Sequence, residues 1–260
     1  MTEDLKNDIS SIPLEVSEKL EYVRTWPRGM DLMKQIAKRS PTIILSFSLG
    51  KDSLGAWIAL RDSGVFEKII PYYAYGVPDL EFVENALKYY EDVFDTHIIR
   101  YPAPTFYRQL RSGTFMPLWH ARFTRDLDIN PHFNFDDLSE VLIEDEDLDG
   151  DTFVATGVRA VDNMARLAAM KRTGPISDNL CKFHPIWDWN KNMLMTKIHR
   201  SGILLPPDYL AFGRSFDGID RRFVGPIKSL WPRDYERIKE FFPLIDVTLW
   251  RERYARRHRL

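Results

Sequence analysis

Residues 42–60 read TIILSFSLGKDSLGAWIAL. An apolar run, Ile43-Ile44-Leu45, enters a polar turn, Ser46-Phe47-Ser48-Leu49-Gly50-Lys51-Asp52-Ser53, and an apolar, helix-like segment follows. Strand, tight turn and helix is an arrangement that holds phosphate, because free N–H groups and the helix dipole both favour an anion there. Two common forms of such a turn are excluded. A P-loop, G-x-x-x-x-G-K-[ST], needs glycine where Leu45 stands and a Mg²⁺-binding hydroxyl where Asp52 stands. The dinucleotide fingerprint G-x-G-x-x-G needs three glycines, and Gly50 stands alone. What remains is S-x-S-x-G-K-D-S. Ser46, Ser48 and Ser53 supply hydroxyls, Gly50 lets backbone N–H groups approach an anion, and Lys51 adds a cation. Bare phosphate repels Asp52, so this residue either caps the helix or acts through Mg²⁺.

Outward from the turn, the periodicities alternate. Residues 42–45 and 68–75 read as strands, 54–63 and 80–94 as helices, and 96–101 as a third strand. This β-α-β-α-β order predicts an α/β fold, a mostly parallel, doubly wound sheet with helices on both faces. Residues 102–140 read as irregular, and an acidic stretch from Asp136 to Asp151 follows without Lys or Arg. Strand character returns at 152–157. Helices are expected at 161–170, 192–200 and 232–242, with a short strand within 181–189 and a loop over 202–218. The expected organisation is an N-terminal helical segment (1–41), a nucleotide-binding core (42–230) and a helical, basic C-terminal extension (231–260).

Composition narrows the class. The chain has 260 residues, 44% hydrophobic and 28% charged, with a net charge of −2. That suits a globular α/β core and compels neither a nucleic-acid nor a membrane partner. No apolar stretch approaches the ~18 residues of a membrane span, and the polar start MTEDLKNDIS does not read as a signal peptide. A cytoplasmic protein is expected. One cysteine, Cys181, cannot form an internal disulfide or supply a cluster-binding set, so no iron–sulfur cluster is expected.

The turn resembles the PP-loop, S-G-G-x-D-S after a first strand: Ser48, Gly50, Asp52 and Ser53 match, Lys51 takes the variable position, and Leu49 replaces the first glycine. On these residues the chain resembles the adenine nucleotide α-hydrolases, and among them the PAPS reductase-like branch. Later segments match weakly but in order. TGVRAVDNMAR (156–166) resembles the family's G-[IV]-R strand–helix segment and puts Arg159 and Arg166 on phosphate. HPIWDWN (184–190) resembles P-[IL]-x-x-W. LLPPDYLAFGRSFDG (204–218) resembles the later segment with Tyr and Gly-x-Arg, with Tyr209 near the tyrosine and Arg214 as the basic residue. Trp187 and Trp189 read better as core.

The resemblance implies cleavage of Mg²⁺-ATP between its α- and β-phosphates, with Lys51, Asp52 and Arg159 as catalytic residues, Asp52 reaching Mg²⁺ through the phosphates, and an unknown acceptor adenylated. PAPS reductases use a C-terminal cysteine, and none follows Gly213 here. Two alternatives stay open: an APS- or PAPS-binding protein whose partner supplies the redox step, and a non-catalytic nucleotide sensor. Leu49 favours these two, since its Cβ can crowd a phosphate. Arg122 and Arg125 are weak substrate-facing candidates. DEDLDGDTFVAT (145–156) begins like a calcium loop but ends in Thr156, and a solvated acidic loop is the better reading. The basic tail, with Arg251, Arg253, Arg256, Arg257, His258 and Arg259, is a candidate contact for nucleic acid or a partner protein.

Overall fold

Ile43 and Leu45 turn to one face of the sheet and Ile44 to the other, and each face meets its own hydrophobic cluster. The computed structural model describes residues 26–120, 130 and 132–257. Six strands run β1 (Thr42–Ser46), β2 (Lys68–Tyr75), β3 (Ile99–Pro102), β4 (Val154–Thr156), β5 (Ile176–Ser177) and β6 (Lys182–Phe183), in the spatial order β3-β2-β1-β4-β6-β5. All neighbours are parallel except β5 with β6. The predicted α/β class and parallel sheet are therefore observed. The order reverses direction at β1, between β2 and β4. Crevices at the carboxyl ends of strands beside such a reversal are where open α/β sheets bind ligands.

The larger cluster gathers α1 (Gly29–Ala37), α2 (Lys51–Ser63), α3 (Glu81–Phe94), and parts of α6 (Met164–Thr173), α7 (Lys191–Ser201), α9 (Arg221–Leu230) and α10 (Pro232–Phe241) on one face. Phe47, directly after β1, is buried edge-on against Trp57 and Tyr90, with ring centroids 4.8 and 5.1 Å away. Such aromatic pairs are worth about 1 kcal/mol each beyond their burial. They fix the point where strand gives way to turn. The other face carries Ile44, Tyr72 and Val154 under Leu138 and Leu142 of α5 (Phe135–Asp145).

Helix α5 corrects the reading of 102–140 and the acidic stretch as irregular. Asn134 and Asp137 form a capping box at its start. Glu140, Glu144 and Asp145 are exposed while Leu138, Ser139 and Leu142 are buried, so charge masked the helical period. Helix α4 (Pro104–Ser112) is a second helix in that region, opened by proline at its first turn. The loop expected over 202–218 contains α8 (Pro207–Phe212). The helix expected at 161–170 starts as a 3₁₀ turn, Ala160–Asp162, and continues as α6, where the Asn163 side chain accepts the Arg166 N–H. The segment 184–189 is turn rather than strand, and it buries Trp187 and Trp189.

The C-terminal helices share the main cluster through Phe223, Ile227, Tyr235 and Ile238. Asp234 of α10 is buried and caps α3 from outside: its carboxylate accepts the Glu81 and Phe82 N–H groups at 2.5 and 3.1 Å. Leu80, the capping residue in sequence, has no side-chain acceptor to offer. Asp234→Ala is expected to cost about 2 kcal/mol, the upper end for a lost cap, because the N–H groups are left without an acceptor in a buried place. Urea unfolding checks this; a change below about 0.5 kcal/mol would contradict it.

Candidate functional site: the turn after β1

Gly50 is the N-cap of α2, extended at φ −79°, and has no side chain to cap with. Ser53 substitutes. Its Oγ donates to the Gly50 carbonyl at 3.0 Å and accepts the Ser48 N–H at 3.2 Å. The Lys51 N–H donates to the Tyr209 hydroxyl at 3.0 Å. Among the described residues, the N–H groups of Leu49, Gly50 and Asp52 have no acceptor. These are the orphan donors of a helix start, set at the carboxyl end of β1. A Cβ built on Gly50 would lie 3.3 Å from Ser48 Oγ and 3.5 Å from Ser215 Oγ.

Leu49 has φ 58°, the left-handed region, and is 4% exposed within the main cluster. A non-glycine residue there costs about 1–2 kcal/mol, and burial of a leucine returns a similar amount. Its side chain packs inward, away from the N–H groups it was expected to crowd.

The charged residues form a chain. Asp52 Oδ2 accepts Lys51 Nζ and Oδ1 accepts Arg159 Nε, each at 2.6 Å. Arg159 also donates to Asp162 Oδ1 at 3.1 Å and to the Trp189 carbonyl at 3.5 Å. Asp162 Oδ2 accepts Arg166. The Arg159 side chain is 4% exposed, against 25% for Lys51 and for Asp52. Arg159 is thus a buried strut behind Asp52, while Lys51 is the cation nearest the open side of the turn.

The turn thus brings together Ser48, Gly50, Lys51, Asp52, Ser53 and Arg159, and Arg166 joins through Asp162. Ser46 lies elsewhere: its hydroxyl meets the buried Tyr72 phenol on the α5 face. Arg214 pairs with Asp217 and lies 5.9 Å from the Phe223 ring. Arg122, Arg125, His258 and Arg259 are outside the described residues, as are residues 1–25 of the expected N-terminal segment. In the tail helix α11 (Asp246–Arg257), Trp250 and Tyr254 are exposed and stacked at 5.5 Å.

Sequence reasoning assigned no role to Asp162, Gly157 or Ser215. Asp162 had a signal, an acid spaced three residues after Arg159 and four before Arg166. Gly157 had one as the glycine of the G-[IV]-R segment, and Ser215 had none.

His184, beside the Arg166 and Lys182 charges, shares a 2.7 Å hydrogen bond with Thr156 through Nδ1. Burial, then those two cations, push its pKa down to about 4. The imidazole is neutral when folded and protonates near pH 6.5 when unfolded. Its contribution is therefore complete above pH 6.5 and is lost as pH falls toward 4, at up to about 1.4 kcal/mol per pH unit. Urea midpoints at pH 7 and pH 5 are expected to differ less in His184→Gln than in the unaltered chain; an equal difference would contradict this.

Burial, then Asp151 and Asp178, raise the Cys181 thiol, which leaves it unactivated. Among the described residues no three His, Cys, Asp or Glu side chains gather as a metal site, and no helix is long and apolar enough to cross a membrane.

No family model matches the chain, and no curated protein matches it. Among solved structures, the U34-tRNA thiolase NcsA from Methanococcus maripaludis with its [4Fe-4S] cluster matches at 12% identity, over 89% of this chain and 78% of that one, with a TM-score of 0.44. The [4Fe-4S] cluster of that protein stands against the expectation of no iron–sulfur cluster, which is withdrawn; the cluster is a property of that protein. The expectation rested on counting the thiols of a single chain, and Cys181 alone does not decide the matter.

Proposed function

We propose that this protein binds ATP with its β- and γ-phosphates on the Ser48–Ser53 turn, and cleaves it between the α- and β-phosphates to adenylate an acceptor. Pyrophosphate is the leaving group. The observation that carries this is the turn itself: N–H groups at the start of a 13-residue helix with no acceptor among the described residues, beside a lysine paired, among those residues, with its neighbour Asp52.

The charge chain explains how that lysine can serve. Lys51, Arg159 and Arg166 against Asp52 and Asp162 leave a net charge of +1, three cations less two carboxylates. Asp52 keeps Arg159 when Lys51 leaves it. Lys51 can therefore swing to a phosphate oxygen without stranding a bare carboxylate, and its charge then stabilises the departing pyrophosphate. An acceptor oxygen or nitrogen attacks the α-phosphorus in line, the α–β bridge breaks toward the β-phosphate, and the acceptor's proton passes to solvent. With Lys51 on a phosphate, Asp52 keeps Oδ1 on Arg159 and frees Oδ2, the oxygen that would face a magnesium ion carried by the phosphates.

One feature weighs against the alternatives. Leu49 is turned into the core, so it does not crowd an anion as a decayed or re-purposed turn would require. Product analysis tests the reading: ATP incubated with the protein and candidate acceptors is expected to give AMP, free or transferred, and pyrophosphate. ADP and orthophosphate as products would overturn it.

A further inference from the structure

One segment distant in sequence reaches over the turn. The strap from Leu204 to Gly218 places the Tyr209 hydroxyl on the Lys51 N–H, the first of α2. It places Ser215 Oγ 3.5 Å from the point where a Gly50 Cβ would stand. Among the described residues the Ser215 hydroxyl has no partner. Asp208, 2% exposed, sets this geometry. Its carboxylate accepts the Phe216 N–H at 2.7 Å, drawing the end of the strap back onto its own helix so that Tyr209 and Ser215 converge on one turn. Phe212 and Phe216 anchor the strap edge-on against Phe223 at 5.0 and 5.4 Å. The arrangement is costly for mere packing, since Asp208 is buried with Oδ1 unpaired.

A phenol that accepts a hydrogen bond from N–H retains its own proton for donation, and the accepted bond polarises it toward donating. Tyr209 is thus an acceptor toward the turn and a donor toward whatever the turn holds. The Ser215 hydroxyl is a second such donor. Two neutral donors beside orphan N–H groups suit an oxyanion with several acceptor oxygens, such as a pyrophosphoryl group, better than a single-charge or apolar ligand.

We propose that Tyr209 and Ser215 are phosphate-positioning residues that bind the pyrophosphoryl end of the nucleotide alongside Lys51. This rests on the proposed ATP reading and goes beyond it: the strap, and not the turn alone, selects the di- and triphosphate from the monophosphate.

Calorimetry with inorganic pyrophosphate, ATP and AMP tests it, on the unaltered chain, Lys51→Ala, Tyr209→Phe and Ser215→Ala, with thermal melts beside each. Tyr209→Phe and Ser215→Ala are expected to weaken pyrophosphate and ATP roughly tenfold each, the scale of one hydrogen bond to a charged group, and to leave AMP unchanged. A purely structural role would weaken all three ligands together and lower the melting temperature; that pattern, or unchanged pyrophosphate affinity in both variants, overturns the inference. If Lys51→Ala loses ATP while both hydroxyl variants keep it, the inference fails and the ATP reading stands. If the unaltered chain binds neither pyrophosphate nor ATP, both fail.

Discussion

Gly157→Ala is expected to destabilise the protein by about 3 kcal/mol and to abolish nucleotide binding. A Cβ at this position would lie 2.5 Å from the Asp52 carbonyl carbon and 2.6 Å from both the Asp52 oxygen and the Ser53 nitrogen. These are backbone atoms of the first turn of α2, so no rotamer change relieves the clash. Either β4 withdraws from β1 or the first turn of α2 moves, and the second route displaces Lys51 and Asp52. Gly157 itself has no left-handed backbone to favour glycine, so close approach is the only demand. Gly64, at φ 61° with open space around its Cβ, is the contrast; alanine there costs about 1 kcal/mol of backbone strain and leaves binding intact. Urea unfolding and ATP calorimetry on both variants check the pair. A Gly157→Ala protein with unaltered stability would refute the packing of β4 on this helix.

Arg159→Ala is expected to cost about 2–3 kcal/mol, less than stranding a buried charge costs because each carboxylate is part-exposed and keeps a second cation. The guanidinium holds two carboxylates, Asp52 and Asp162, at 2.6 and 3.1 Å. Without it Asp52 keeps only Lys51, and Asp162 keeps only the exposed Arg166. Lys51 is then tied to Asp52 as the sole counter-charge, so ATP affinity falls as well, although Arg159 itself is too buried to reach a phosphate without rearrangement. Arg159→Lys is expected to recover little, since one ammonium cannot span both carboxylates as the planar fork does. A double-mutant cycle with Asp52→Ala isolates the pair: a coupling energy below about 0.5 kcal/mol would remove Arg159 from its role as strut.

The parts of this structure legible in the sequence are those whose causes are local. The bounds of β2 follow from an unbroken apolar run closed by Gly76 and Pro78, and β1, the turn and α2 follow from Ile43–Leu45 and the single Gly50. The side of the sheet that Ser46 faces was not legible. Strand alternation separates it from Ile43 and Leu45, but which face carries α2 is a tertiary fact. Leu49 reads as a defect in the motif until its side chain is seen to fill the core. Arg159 reads as a phosphate ligand because sequence shows a residue type and not its burial. Helix α5 hid behind its carboxylates. The contact of Tyr209 with Lys51 joins residues 158 positions apart, and no spacing announces it.

The claim on which the rest depends is that the Ser48–Ser53 turn holds the phosphates of ATP, with Lys51 as the mobile cation. Calorimetric titration of Mg²⁺-ATP into the unaltered protein and into Lys51→Ala tests it most directly. Lys51→Ala leaves Asp52 paired with Arg159, so the fold is expected to persist in a thermal melt. Saturable binding by the unaltered protein, weakened at least about tenfold in the variant, is the predicted result. ATP binding of equal strength in the two, or none in the unaltered protein, would contradict the account.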